Sequence, residues 1–416
     1  MKTFQIIIVS LLLFNSIRTN AQFGIYILKN EKDSTNYYLL KKLTATPDQK
    51  YYANCQYVGN NKNAKAGKLL TLDSQIRISS ETLFGSNSII NTHIPVILPD
   101  NTIRLYSTSK NKGNFNPLIT NIDERLSKVD EKNIFTSQSV YIGDIATVDK
   151  DNIIIAQAVK DESNTYNITL FQFNLTSNDQ IWSSRLISEL NELPANIVLM
   201  KDRSIVVLAK RYDHSFSSFS PIIYRLSTIG EKIWVKDMTS SIYGFYNQDI
   251  IHSHDNELIY ISSYQGRNNE IPQTYIFKIN SDNGATITKQ KIDSLKANGI
   301  CQLSNDNCLI YGSQSDAVNS PQRAIAAYTI VDQQLSQIYT YKISSNNFLN
   351  EEMKDKAKGS NLEGSEIFTG INLENQDILM GGYISLPKES LNNNNFNNFD
   401  YLNMIIETNS EGFFIN

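Results

Sequence analysis

The sequence predicts an all-β fold, a seven-bladed β-propeller of four-stranded antiparallel blades closed by an N-terminal strand. Three observations carry that expectation. A tight polar turn running into an apolar strand, as in Asp151-Asn152-Ile153-Ile154-Ile155, returns seven times, opened by Asp48, Asp100, Asp151, Asp202, Asp255, Asp306 and Asn375. The intervals are 52, 51, 51, 53, 51 and 69 residues, and a fixed period of this size marks a repeat architecture. Tyr 22 and Phe 18 against 9 Pro, with abundant Ile, Ser, Thr and Asn, suit strands and polar turns better than helices. Each repeat also holds four short apolar segments separated by turns, the content of one blade.

In chain order, Met1-Lys2-Thr3, the apolar run Ile6 to Phe14, and the small residues Thr19 and Ala21 before Gln22 read as a secretory signal peptide over 1–21. The run is too short to span a membrane. No cysteine lies near the cut, which argues against a lipid anchor. Residues 22–416 are expected to form one propeller domain, a monomer without a transmembrane segment, secreted or, in a Gram-negative bacterium, periplasmic. Phe23 to Leu28 stands before the first repeat, while the last repeat ends at Gly412-Phe413-Phe414-Ile415-Asn416, so the N-terminal strand is expected to complete the last blade. Closure removes the exposed edges of an open sheet.

In the third repeat the predicted strands are Val140 to Thr147, Ile153 to Val159, Ile168 to Asn174 and Ile181 to Leu186. The run Ile153-Ile154-Ile155 is what a strand buried on both faces looks like. The outer hairpins add a marker: Gly230 stands four residues before Trp234, Trp182 lies at the equivalent place one repeat earlier, and Gly284 and Gly412 mark the same turn. Such glycines supply the positive φ of a tight hairpin. The tryptophans are expected to pack between blades, ligand stacking being the alternative. This Leu226…Gly230…Trp234 pattern resembles the quinoprotein-type repeats of secreted bacterial propellers. The resemblance implies a fold in which the first strand of each blade lines a central channel. Asn280-Ser281-Asp282-Asn283-Gly284-Ala285-Thr286 resembles the aspartate box of sialidase-type propellers, with Asn280 replacing the hydroxyl residue and Ile287 the aromatic one. In that family the box is structural.

Two insertions interrupt the period. Residues 345–366 contain Asn350 to Gly359, which reads as a short helix with a capping amide, acids in the first turn and a terminal glycine. Residues 386–400 contain the amide-rich stretch Asn392 to Phe399, too polar to bury. Both are expected on one sector of one face, opposite the Asp turns.

Net charge is −4 with 19% charged residues, which gives no basic field for a phosphate backbone and argues against nucleic acid. The zincin His-Glu-x-x-His, Gly-x-Ser-x-Gly, phosphate-loop and Cys-x-x-Cys signatures are absent, and no cofactor is expected. Three cysteines give no disulfide framework. Cys301 and Cys308 flank one turn and either bridge across a hairpin or stay free and buried. His252 and His254 lie two apart on a predicted innermost strand, and a divalent site with His93 is conceivable. So sparse a ligand set reads instead as ordinary strand residues, and no metal is expected. The ring of turn acids, Asp48, Asp100, Asp151, Asp202, Asp255, Asp306 and Asn375, is read as structural, because an aspartate opening a turn accepts N–H groups two residues on.

The binding candidates are aromatic. Arg211, Phe216 and Phe219 lie in one second-to-third loop, Tyr243, Phe245 and Tyr246 in the next inter-blade loop, and Tyr264 and Arg267 in the neighbouring repeat, all expected on the insertion face. Exposed aromatics give rigid contact area for sugar rings or a protein surface. The alternative is that these rings fold inward and seal the propeller. The functional expectation is a secreted binding or scaffold module for a protein partner or a cell-surface glycan. Its rival is a polysaccharide hydrolase using acids such as Asp213 or Glu270 at the channel mouth.

Overall fold

Seven four-stranded antiparallel sheets follow one another around a ring. The structure is a computed structural model that describes residues 25–28, 37–45, 50–58, 67–84, 94–98, 102–111, 114–123, 125–126, 129–133, 140–177, 179–212, 219–238, 245–264, 271–315, 324–343, 364–373, 375–387 and 399–413. The inner strands are β2 (Tyr37–Ala45), β6 (Ile94–Ile97), β10 (Val140–Thr147), β14 (Asn191–Leu199), β18 (Phe245–His252), β22 (Leu295–Gln302) and β26 (Gly364–Asn372). In the third blade, β11 (Asn152–Lys160), β12 (Tyr166–Asn174) and β13 (Gln180–Leu186) complete the sheet, each within a residue or two of the predicted segments. Ile153, Ile154 and Ile155 are all buried, whereas β13 alternates exposed and half-buried residues, as an outermost strand does.

The last blade is composite. Its order from the channel outward is β26, β27 (Ile378–Pro387), β28 (Phe399–Thr408) and β1 (Ile25–Leu28), with Ile25 opposite Ile406 and Leu28 opposite Asn403. The N-terminal strand thus closes the ring. Residues 364–366 and 386–387 belong to β26 and β27, and Phe399 and Asp400 to β28, so the interruptions are shorter than the sequence reading gave them. The predicted helix at 350–359, the signal peptide and the amide-rich stretch up to Asn398 lie outside the described residues.

Apolar clusters sit between blades rather than within them. Leu379 and Ile405 of the seventh blade share one with Leu40, Leu43, Leu70 and Leu72 of the first, which glues the closing interface. At the outer rim six of the seven interfaces are sealed in one of two ways. In the first, second and sixth blades the third-to-fourth turn holds an aliphatic residue at positive φ, Ile76 (59°), Leu126 (55°) or Leu335 (65°), and that side chain is buried in the cluster shared with the preceding blade. In the fourth, fifth and seventh blades the turn carries Gly230, Gly284 or Gly412, and the preceding blade fills the space with Trp182, Trp234 or Ile330. The tryptophans therefore do pack between blades. Their indole N–H groups are used too: Trp182 donates to Gln172 Oε1 at 2.7 Å and Trp234 to the Ser281 carbonyl at 2.7 Å. The aspartate-box-like turn is thus part of the rim seal, and its Asp282 pairs with Arg225 of the preceding blade at 3.1 Å.

The first-to-second turns repeat one geometry in the fourth to seventh blades. Met200, Ser253, Leu303 and Leu373 each donate to the carbonyl four residues on, and Arg203, Asn256, Asp306 and Gln376 take the left-handed position. Asp202, Asp255 and Asn375 accept the N–H two residues on. In the sixth blade Asn305 has that role, one residue before Asp306, and in the third Asp149 accepts from Asp151 N. Asp48 and Asp100 lie outside the described residues.

The cysteine bridge is excluded by register. Gln302 faces Cys308 and Cys301 faces Leu309, so the two thiols leave the hairpin on opposite faces, Cys301 toward the seventh blade and Cys308 toward the fifth. All three cysteines are free and buried.

Candidate functional site

The inner strands carry bulges, and the bulges build the channel wall. The pairing of β2, β10, β14, β22 and β26 with the next strand skips Lys41, Gly143, Ala195, Asn298 and Phe368. In β18 the skip comes two residues earlier, at Tyr246. A bulge leaves one residue out of the ladder and re-aims the next. The five skipped residues all line a central cavity of about 1040 Å³, together with Lys42, Gln56, Tyr141, Asp144, Asn196, Gln248, Asp249, His252 and Thr369.

Just after the bulge, one side chain per blade reaches to the next blade. Asp144 Oδ2 accepts from the Ile197 N–H at 3.0 Å, and Thr369 Oγ1 from the Leu43 N–H at 3.4 Å. Asn196 donates to Asp249 Oδ1 at 2.8 Å, and Asp249 Oδ2 accepts from the Ile300 N–H at 3.1 Å. The sixth blade has Gly299 at this place. A Cβ there would lie 2.1 Å from the Tyr311 hydroxyl, which occupies the space and takes the Gly370 N–H of the seventh blade. From the third blade round to the first, these contacts tie the blades circumferentially. Lys42 spans the short second blade to Asp144 at 3.5 Å.

Burial sets the ionisation of this wall. It drives the Asp249 carboxyl up to about 7, against the stabilising N–H groups of Ile300 and Ile250 and the nearby Lys42 charge, and with Asp144 adding repulsion. Burial likewise brings the Lys41 ammonium down to about 8, Glu366 opposing and Lys296 reinforcing the change. Lys41 Nζ sits over the Phe368 ring, 3.1 Å from its centroid. Beside it, Glu366 Oε1 receives Lys296 at 2.9 Å and Asn298 at 2.8 Å, and Asn298 accepts from Asn247.

The sequence-predicted aromatics are only partly gathered by the fold. Tyr212 pairs with Phe219, and Phe245 with Tyr264, at the ends of strands on the same side of the ring. Phe219 packs 5.5 Å from the Tyr212 ring with Lys210 4.9 Å over its face, so this ring turns onto its own hairpin. Arg211 stands apart. It bonds the fully buried Glu192 at 2.9 Å and Asp237 at 2.7 Å, and with Tyr224 it lines a side groove of about 570 Å³ between the third and fourth blades. Phe216, Tyr243 and Arg267, with Asp213 and Glu270, lie outside the described residues, as do the side chains of Phe245, Tyr246 and Tyr264. His93 is also outside them. His254 lies beyond β18, in the turn, where it meets Asp306 of the next blade, so it does not share the strand with His252. Among the described residues no three His, Cys, Asp or Glu side chains are grouped to hold a metal.

The channel residues left no motif, but they did leave a periodic signal. Lys42, Asn196, Asp249 and Thr369 each stand six residues before the turn opener of their repeat, a polar residue at the same place in four repeats.

No family model matches the chain, and no curated protein matches it. Among solved structures, the polysaccharide lyase Uly1 is similar with a TM-score of 0.51 at 10% identity, over 94% of this chain and 95% of that one. The α-L-arabinofuranosidase Arb93A of Fusarium graminearum gives 0.47 at 9% identity, over 76% of this chain and 98% of its own. An α-L-arabinanase of Penicillium chrysogenum gives 0.45 at 10% identity, over 72% and 95%. At these identities the likeness is one of fold.

Proposed function

We propose that the chain is an exported propeller that binds a glycan at the channel mouth, on the side where the second-to-third hairpins open, without hydrolysing it. The supporting observation is how the channel carboxylates are employed. Asp144 and Asp249, which line the channel, and the buried Glu366 behind Asn298 each accept two or more hydrogen bonds from neighbouring groups. Glycoside hydrolysis asks for one carboxyl free to deliver a proton and another free to attack or to activate water. Among the described residues the channel acids act as spacers between blades. The wall around them, with Gln56, Gln248 and the Thr369 hydroxyl, offers donors and acceptors suited to hydroxyl groups.

The test is a screen of the purified chain against immobilised polysaccharides, following both retention and release of reducing ends. Retention without release supports the reading. Release revives the hydrolase, and retention of nothing but a protein partner overturns the glycan. The export reading is checked by N-terminal sequencing of protein recovered outside the cytoplasm, which should begin at Gln22.

A further inference from the structure

We propose that Lys41 is an anion site inside the channel and that the glycan taken there carries a carboxylate, as a uronic acid does. This rests on the binding reading above and adds the charge of the ligand. Among the described residues Lys41 Nζ has no hydrogen-bond acceptor and no ion-pair partner within bonding distance; its recorded contact is the Phe368 ring. Lys41 is half-buried, and an ammonium partly withdrawn from water without an acceptor is disfavoured, an aromatic face compensating only in part. The neighbouring charges are already engaged: Glu366 Oε1 by Lys296 and Asn298, and Lys42 by Asp144.

The bulge positions of the third and fourth blades, Gly143 and Ala195, line the same cavity and carry nothing beyond a methyl, so they leave that part of the wall open. Gly143 is small for its own reason, since a Cβ there would lie 2.2 Å from the Pro194 carbonyl oxygen. A singly charged carboxylate matches one free cation. A phosphate would bring a second charge toward Asp144 and Glu366. The amide and hydroxyl groups of the wall favour a sugar carboxylate over a peptide one, because they can engage the ring hydroxyls beside it. Burial and Lys296 hold the Lys41 ammonium near 8, and a bound carboxylate would draw it upward.

The experiment measures binding of tetragalacturonate, its methyl ester and a pentaglutamate peptide by calorimetry. Wild type should prefer the acid sugar, and its affinity should fall as pH rises past about 8, where Lys41 loses its proton. Lys41→Met, whose thioether can still pack on Phe368, should weaken binding on the order of ten- to a hundredfold, the effect of removing a charged hydrogen-bond partner. Lys41→Arg should retain most of it, and Lys232→Met on an outer strand should change nothing. Equal binding of acid and ester, with Lys41→Met unaffected, overturns the anion site and leaves the glycan reading standing. Equal binding of pentaglutamate overturns the sugar carboxylate. If no saccharide binds, the glycan reading fails. The anion site is then decided by the Lys41 side-chain resonance, whose titration midpoint must rise in acetate and not in acetamide; an unmoved midpoint overturns it.

Discussion

The Trp234 indole of the fourth blade lies against Gly284 of the fifth, where an added Cβ would come within 3.1 Å of Cε3. At Gly230 the fit to the third blade is tighter, 2.6 Å to Ser184 Cβ and 2.9 Å to Trp182. Both glycines have positive φ, 73° and 82°. Gly284→Ala should therefore cost about 1–2 kcal/mol, mostly backbone strain, and Gly230→Ala about 2–4 kcal/mol, because overpacking is added. Urea denaturation measures both, and equal losses would show that Trp182 moves aside freely.

These rim contacts also explain how far the sequence could be read. The period, the four segments per repeat and the closing strand were legible because each follows from local alternation and turn chemistry. The Gly and Trp marker looked irregular because one gap has two fillings. Leu335 reaches back from its own turn, whereas Gly284 receives Trp234, and only the neighbouring blade distinguishes them. The channel ring was hidden for a similar reason. Asp249 meets Asn196 across 53 positions and Ile300 across 51, so its role belongs to the closed ring and not to its own strand. Arg211 looked like an exposed cation beside aromatics, but its partner Glu192 lies on the paired strand β14.

That pair makes a second prediction. The Glu192 side chain is 0% exposed, and Arg211 is its only cation within salt-bridge distance among the described residues. Arg211→Ala leaves a buried carboxylate facing the Tyr224 hydroxyl alone, a change that should cost about 3–5 kcal/mol. A loss under about 1 kcal/mol by chemical denaturation would show that the network relaxes, and would return Arg211 to the list of surface cations.

Stability should depend on pH through Asp249. Its folded carboxyl titrates near 7, raised chiefly by burial, against about 4 for an exposed aspartate. The folded state therefore holds a proton that the unfolded chain releases. The associated stability is fully present below about pH 4 and is lost as pH rises through about 7. Asp249→Asn removes that slope. Between about pH 4 and 8 the wild type should lose on the order of 2–4 kcal/mol relative to the variant. Parallel curves for the two proteins would mean that the hydrogen bonds from Ile250, Ile300 and Asn196 hold the carboxylate ionised.

The thiols give the last test, and it reaches the register of a whole hairpin. Burial pushes Cys55 and Cys308 up to about 12 and Cys301 higher still, so none should react with a thiol reagent in the folded protein. After denaturation of protein taken from an oxidising compartment, all three should titrate. Finding Cys55 alone would mean a Cys301–Cys308 bridge, which requires β22 to slip one residue against its partner. A one-residue slip sends every side chain to the other face. Ile300 and Ala297 would then leave the cluster they share with the fifth blade, and Cys301 the one it shares with the seventh. Three thiols and unchanged electrophoretic mobility on adding reductant are therefore the expected result.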